Sequence, residues 1–137
     1  MVYSFKMDAD FLTNLLPRVM HVSSALEEMT GHEDYNATLE SLAHGTEDMD
    51  DNKRTRIVKE RLSDLEDMAK TYGKFAPKFS EFNERRSVFG VLILTASNID
   101  DERLLLGKEE YFPYINRDEA IEIANEYRKI HKDRSKG

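Results

Sequence analysis

Along the chain, hydrophobic and polar positions change period several times, and each change predicts an element. Tyr3, Phe5 and Met7 alternate with Ser4 and Lys6, the two-residue period of a half-buried strand, which predicts a short strand over 2–7. From Leu12 the period lengthens: Leu12, Leu15, Val19, Val22, Leu26 and Met29 recur at steps of three and four. That spacing predicts an amphipathic helix, capped by Asp8 or Asp10 and ended by Gly31. Pro17 lies inside it and lacks a backbone donor, so a kink or break is expected near Leu16. A second short helix is expected over about 34–44, burying Tyr35, Leu39 and Leu42 and closed by Gly45.

After the polar connector 46–52, Val58, Leu62, Leu65, Ala69 and Tyr72 keep alternating steps of four and three. This is the best-supported helix, with Gly73 as its expected stop and Glu66–Lys70 as an outer i, i+4 pair. Ser87 to Ala96, SVFGVLILTA, is a continuous apolar run with Gly90 inside and turn formers after it, the pattern of a central buried strand. Arg103 to Leu106 then reads as the returning strand of a hairpin. Residues 110–115 are an extended piece that Pro113 confines to an edge or a loop. Asn116 with Glu119 matches a capping box, and Ala120, Ile123, Ala124, Tyr127 and Ile130 line a final helix, followed by a frayed basic tail over about 133–137.

These elements predict one domain, 1–137, with an α-dominated α+β fold: several amphipathic helices on a small two- or three-stranded antiparallel sheet. The alternative is a helical bundle with a minor β-hairpin. The stripes at Leu12–Met29 and Val58–Tyr72 either bury each other within one chain or form a dimer seam, so a monomer and a homodimer are both compatible with the pattern.

Charge sharpens the picture more than composition does. The chain has 39% hydrophobic and 34% charged residues and a net charge of −7, values of an ordinary mildly acidic domain. Residues 1–52, however, carry 11 acids against two bases, Lys6 and Arg18, whereas residues 53–137 carry 16 acids and 18 bases. Between Leu26 and Asn52 lie Glu27, Glu28, Glu33, Asp34, Glu40, Glu47, Asp48, Asp50 and Asp51, without a Lys or Arg. Two basic clusters follow: Lys53, Arg54, Arg56, Lys59 and Arg61, and then Arg128, Lys129, Lys132, Arg134 and Lys136.

Candidate chemistry is thin. Zero Cys removes disulfides, thiolate zinc sites, iron–sulfur clusters and thiol nucleophiles. No apolar run approaches the length of a membrane span and no signal-peptide pattern opens the chain, so a cytoplasmic protein without membrane contact is expected. His32 and His44 sit beside carboxylates, but no His spacing fits a zinc motif, and His21 and His131 have no partner in sequence. Asp48, Asp50 and Asn52 occupy positions 1, 3 and 5 of a calcium loop, but Lys53 and Lys59 replace the Gly and Glu that close such a cage. Glu81 with Glu84, and Glu119 with Glu122 and Glu126, are the carboxylate pairs a metal-dependent hydrolase would draw on. Solvated helix faces and a capping Glu119 account for them better, since no second acidic pair stands on a facing helix, so no cofactor, metal ligand or catalytic residue is assigned.

The reading that follows is a non-enzymatic binding or regulatory protein that docks the acidic segment, about 26–52, on a basic surface of a protein partner. A phage or mobile-element accessory inhibitor would suit this size and charge. The alternatives are a nucleic-acid-binding accessory protein using the clusters at 53–61 and 128–136, and a metal-dependent hydrolase using helix carboxylates.

Overall fold

The computed structural model describes residues 14–31 and 35–136. Among them are five α-helices and no strand: α1 Leu16–Thr30, α2 Tyr35–Ala43, α3 Asp51–Phe75, α4 Phe82–Ser97 and α5 Arg117–Lys136. The α+β expectation is therefore overturned, and the hairpin of the alternative is absent from 87–106 as well. The strand expected over 2–7 and the caps at Asp8 and Asp10 lie outside the described residues.

Four helices close a ring. α1 packs on α3, α3 on α5, α5 on α4 and α4 back on α1, while α2 lies against α1 and α3. The main core, with Tyr127, Phe112, Leu92, Met68 and Met29, fills the ring; a second cluster of Leu15, Val19, Val22, Leu42, Val58 and Leu62 joins α1, α2 and α3. The two stripes seen in sequence thus bury each other within the chain, and Leu26 and Leu65 pack against both clusters.

Register follows from cross-helix contacts. Asp64 and Asp67 meet Arg134 whereas Lys74 meets Glu126, so α3 and α5 are antiparallel. Arg18 meets Ser63 and Glu66, and Glu28 lies at Tyr72, so α1 runs alongside α3 in the same direction.

Local chemistry explains where the helices start and stop. Pro17 does not kink α1; it stands in the first turn, where its missing donor has no helical acceptor to lose. Gly31 ends α1 at φ 76°, donating its N–H to the Glu27 carbonyl, with the Phe82 ring packed where a Cβ would project. Asp50 caps α3 by accepting from the Lys53 N–H at 2.8 Å. α3 then passes through its expected stop at Gly73. A mid-helix glycine costs about 1 kcal/mol, less than the roughly 1.5–3 kcal/mol gained by burying a side chain such as Phe75, two residues further on. Pro77, in a 3₁₀ turn over Ala76–Lys78, ends it.

α4 occupies the run expected as a central strand. Ser87, Val88, Val91, Leu92 and Thr95 are buried, a three-and-four spacing that faces α1 on one side and α5 on the other. Its solvent side is apolar too, with Ile93 and Ala96 exposed, so the run lacks the alternation that tells helix from strand. Gly90 is the site of a close approach: a Cβ there would sit 2.1 Å from the Tyr111 carbonyl oxygen. The expected second strand, 103–106, is a succession of turns in which the Leu104 and Leu106 N–H groups donate to Asp101 and Arg103 carbonyls. The extended piece expected over 110–115 is a 3₁₀ turn, Glu109–Tyr111, followed by a turn whose Tyr114 N–H donates to Ser87 Oγ at 3.0 Å.

α5 matches its sequence pattern in cap and face. The Glu119 N–H donates to Asn116 Oδ1 and the Asn116 N–H to Glu119 Oε1, and all five expected core residues are buried. The expected frayed tail is helical as far as Lys136, where ties from Arg134 to α3 hold the last turns.

Candidate functional site

The acidic segment does not form one surface. Glu28 lies at Tyr72, where burial first and the Glu28 carboxylate second hold the phenol above its ordinary range. Asp50 and Asp51 lie at the opposite end of α3, about 30 Å away at 1.5 Å per residue. Glu27 and Glu28 therefore belong to one end of the bundle and Glu47, Asp48, Asp50 and Asp51 to the other, with Glu40 exposed on α2 between them. Glu33 and Asp34 lie outside the described residues.

What remains at the α3 start is a compact acidic loop. Arg54, one turn into α3, reaches back so that its guanidinium donates to the carbonyls of Thr46, Glu47 and Met49 at 3.1–3.2 Å, and pairs with Asp51 at 3.2 Å. Thr46 is fully buried and donates its hydroxyl to the Ala43 carbonyl. Asp50 is spent on the cap and Asp51 on Arg54; Glu47 and Asp48 are exposed.

The basic clusters are largely consumed as internal ties. Arg61 donates to the carbonyls of Leu42 and His44, and Arg128 to those of Ile99 and Asp101. With Arg54 on its loop and Arg134 on two aspartates, four of the expected phosphate-binding arginines serve the fold. Lys53, Arg56, Lys59, Lys129 and Lys132 are exposed. The antiparallel α3–α5 pair sets the last turn of α5 beside the middle of α3, at Asp64 and Asp67, so the 53–61 cluster lies farther toward the α3 start and is not joined to the second cluster.

Between α1, α3 and α5 runs an open groove of about 780 Å³, a size that suits a small ligand. Its lining mixes signs: His21, Lys70, Lys74 and Lys129 against Glu66, Asp67, Glu126 and Asp133. Half of these are paired, among them Glu66 with Arg18 in two hydrogen bonds rather than with the expected Lys70, and Glu126 with Lys74. The bond from Lys74 holds the Glu126 carboxyl below its ordinary range.

At the groove's end stands a cluster that sequence reasoning missed. Asp67, buried at 3% exposure, accepts from Arg134 Nε at 2.8 Å and lies 3.3 Å from His131 Nδ1. Asp64 accepts from Arg134 Nη2 at 2.8 Å and lies 3.8 Å from the same Nδ1. Tyr127 stacks on the His131 ring at 6.1 Å, and burial pushes its phenol up. Burial also holds the Asp64 carboxyl above its ordinary range, against the opposing pull of Arg134 and His131. Asp64 and Asp67 are three apart on α3, as His131 and Arg134 are on α5. Each pair could be read as sharing a helix face, but nothing in the sequence sets the register that opposes them.

The other candidates disperse. Glu81 and Glu84 form the capping box of α4, and Glu119 caps α5. Asn52 is inside α3, so no calcium-type loop forms over 48–59. His44 is exposed, and His32 lies outside the described residues. No described helix is long and apolar enough to cross a membrane. Compared with protein-family models, curated proteins and solved structures, the chain matches none.

Proposed function

We propose that this chain is a small cytoplasmic binding protein, without catalysis of its own, that docks its acidic α2–α3 loop on a basic surface of a larger protein. The observation that carries this reading is the Arg54 clamp. Three main-chain carbonyls of the loop are fixed by one guanidinium, so Glu47 and Asp48 are presented on a backbone that is already ordered. Preordering lowers the entropy lost on association, and like-signed carboxylates select a basic partner and speed encounter. The docking surface is accordingly narrower than the sequence suggested: the loop end of the bundle, not residues 26–52 as a whole.

The test reverses only carboxylates with no task in the fold. Glu47→Lys with Asp48→Lys should leave melting within about 0.5 kcal/mol, as expected of exposed substitutions. It should also abolish salt-sensitive capture of the partner from the source cell. Undiminished capture by this variant would exclude the loop as the docking site.

One observation favours a second reading. Lys53, Arg56, Lys59, Lys129 and Lys132 keep exposed side chains, and a nucleic-acid backbone would draw on them. Binding of a labelled oligonucleotide that weakens steeply with salt, and is lost in Arg56→Ala with Lys132→Ala, would favour this reading over the first. The four arginines already spent on carbonyls and aspartates are the reason it ranks second.

A further inference from the structure

Three lone-pair donors on two helices converge on one cation. Arg134 Nη2 lies 2.8 Å from Asp64 Oδ1 and 3.3 Å from His131 Nδ1, and its Nε lies 2.8 Å from Asp67 Oδ2. The donors themselves all lie within 4.8 Å of one another. We propose that Asp64, Asp67 and His131 form a zinc-class divalent-cation site, and that the Arg134 guanidinium is the cation a metal displaces from it.

Geometry, charge and access support this. A tetrahedral ion with bonds of about 2.0–2.1 Å has donor–donor edges of roughly 3.3–3.4 Å. His131 Nδ1 stands 3.3 Å from Asp67 Oδ2 and 3.8 Å from Asp64 Oδ1, so these two edges are within about half an ångström of such an ion's, and the carboxylate–carboxylate edge, within 4.8 Å, closes by rotation of the partly exposed Asp64. The His131 Nδ1 atom also has a conflict to resolve. It lies 3.3 Å from both a carboxylate oxygen and a guanidinium nitrogen, and a single ring nitrogen cannot satisfy both. Bound to a metal through its lone pair, it needs neither.

With a neutral imidazole, two carboxylates and one guanidinium leave the cluster at −1, around an Asp67 that is almost fully buried. A divalent ion in place of the guanidinium brings it to zero. Arg134 is free to leave, because it lies in the last turn of α5 with its side chain 35% exposed and borders the open groove. Three protein ligands leave a fourth position for solvent. This site departs from the absence of metal ligands expected from sequence, and no reaction is assigned to it.

The probe is zinc alone, titrated into the full chain near neutral pH and read by thermal melting and calorimetry, with cobalt(II) as a spectroscopic stand-in. Wild type should gain melting temperature with zinc and give a cobalt spectrum of a four- or five-coordinate site. His131→Ala and Asp64→Asn should lose both responses. Asp64 is partly exposed and Asp67 keeps Arg134 in the second variant, so it retains the fold. Arg134→Ala, lacking the competing cation, should bind zinc at least tenfold more tightly than wild type, and if it unfolds without metal, zinc should restore its helicity. Absence of any zinc response in both wild type and Arg134→Ala would overturn the proposal, and so would a response that survives His131→Ala or Asp64→Asn.

Discussion

Gly90 and Gly73 both lie within helices, and propensity alone makes the same prediction for each: alanine should stabilise by about 1 kcal/mol. The structure separates them. At Gly73 a Cβ would meet nothing within 4 Å; at Gly90 it would sit 2.1 Å from the Tyr111 carbonyl oxygen. Ordinary contact begins near 3.4 Å, so α4 and the 109–111 turn would have to separate by roughly 1.3 Å. Neither side yields readily. The turn is anchored by Phe112, 1% exposed, and by the Tyr114 N–H on Ser87, while α4 is fixed by Val88, Val91 and Leu92 in the core. Overpacking of this kind costs about 1–3 kcal/mol or more, which exceeds the propensity gain at the upper end and cancels it at the lower. Contact with backbone rather than a flexible side chain places Gly90→Ala at the upper end, a net loss of about 1–2 kcal/mol.

For a chain of 137 residues, an unfolding entropy of about 2.1 cal/mol/K per residue converts each kcal/mol into roughly 3–4 °C. Melting followed by far-ultraviolet circular dichroism should therefore show Gly90→Ala several degrees below wild type and Gly73→Ala up to about 3 °C above it. A Gly90→Ala variant that melts at or above wild type would refute the packing of the Tyr111 carbonyl against α4.

Three further predictions concern the charged ties. Arg54→Ala should cost about 1–3 kcal/mol through its charge-assisted bonds to carbonyls and speed amide exchange over 46–50; unchanged exchange there would mean that the guanidinium does not order the loop. Asp67→Ala should destabilise by about 2–3 kcal/mol, below the loss for a fully buried pair because Arg134 can rehydrate, whereas Glu66→Ala, on a more exposed pair with Arg18, should cost at most about 1 kcal/mol. Equal losses in denaturant titrations would contradict this ranking. Lys74 lowers the folded-state pKa of Glu126, so this pair stabilises above the unfolded glutamate value of about 4.3, and the benefit is lost as pH falls through the folded value. The gap between wild type and Glu126→Gln, under about 1 kcal/mol for so exposed a tie, should be full at pH 7 and close as pH falls through the lowered folded value; a gap that widens on acidification would reverse the sign.

How far the sequence disclosed this structure depended on whether an element has a polar wet face. α5 and most of α3 do, so spacing and capping residues located them, and Asn116 with Glu119 marked the start of α5 within a residue. α4 packs on α1 and α5 and turns Ile93 and Ala96 to solvent, so its nearly unbroken apolar run matched a buried strand as well as a helix. Once 87–96 was read as a strand, the turn formers after it implied a hairpin, so one ambiguity produced two errors. The site followed the same logic. Counting located the acidic residues along the chain, but distance along a chain that doubles back is not distance in space, and Glu28 and Asp51 lie at opposite ends of α3. The destinations of Arg54, Arg61 and Arg128 were invisible because their acceptors are main-chain carbonyls, which have no signature in the sequence. Asp64, Asp67, His131 and Arg134 meet only through the antiparallel register of α3 and α5.

The bundle stands or falls on α4, which closes the ring against both α1 and α5 and received the opposite assignment from its residue pattern. Backbone chemical shifts measured in solution over residues 82–97 decide it. A helical bundle requires helix-type Cα and carbonyl deviations continuously from Phe82 to Ser97, with protected amides at Val91 and Leu92. Strand-type deviations over 87–96 would contradict the ring of helices, and with it the register that assembles the Asp64, Asp67, His131 and Arg134 cluster.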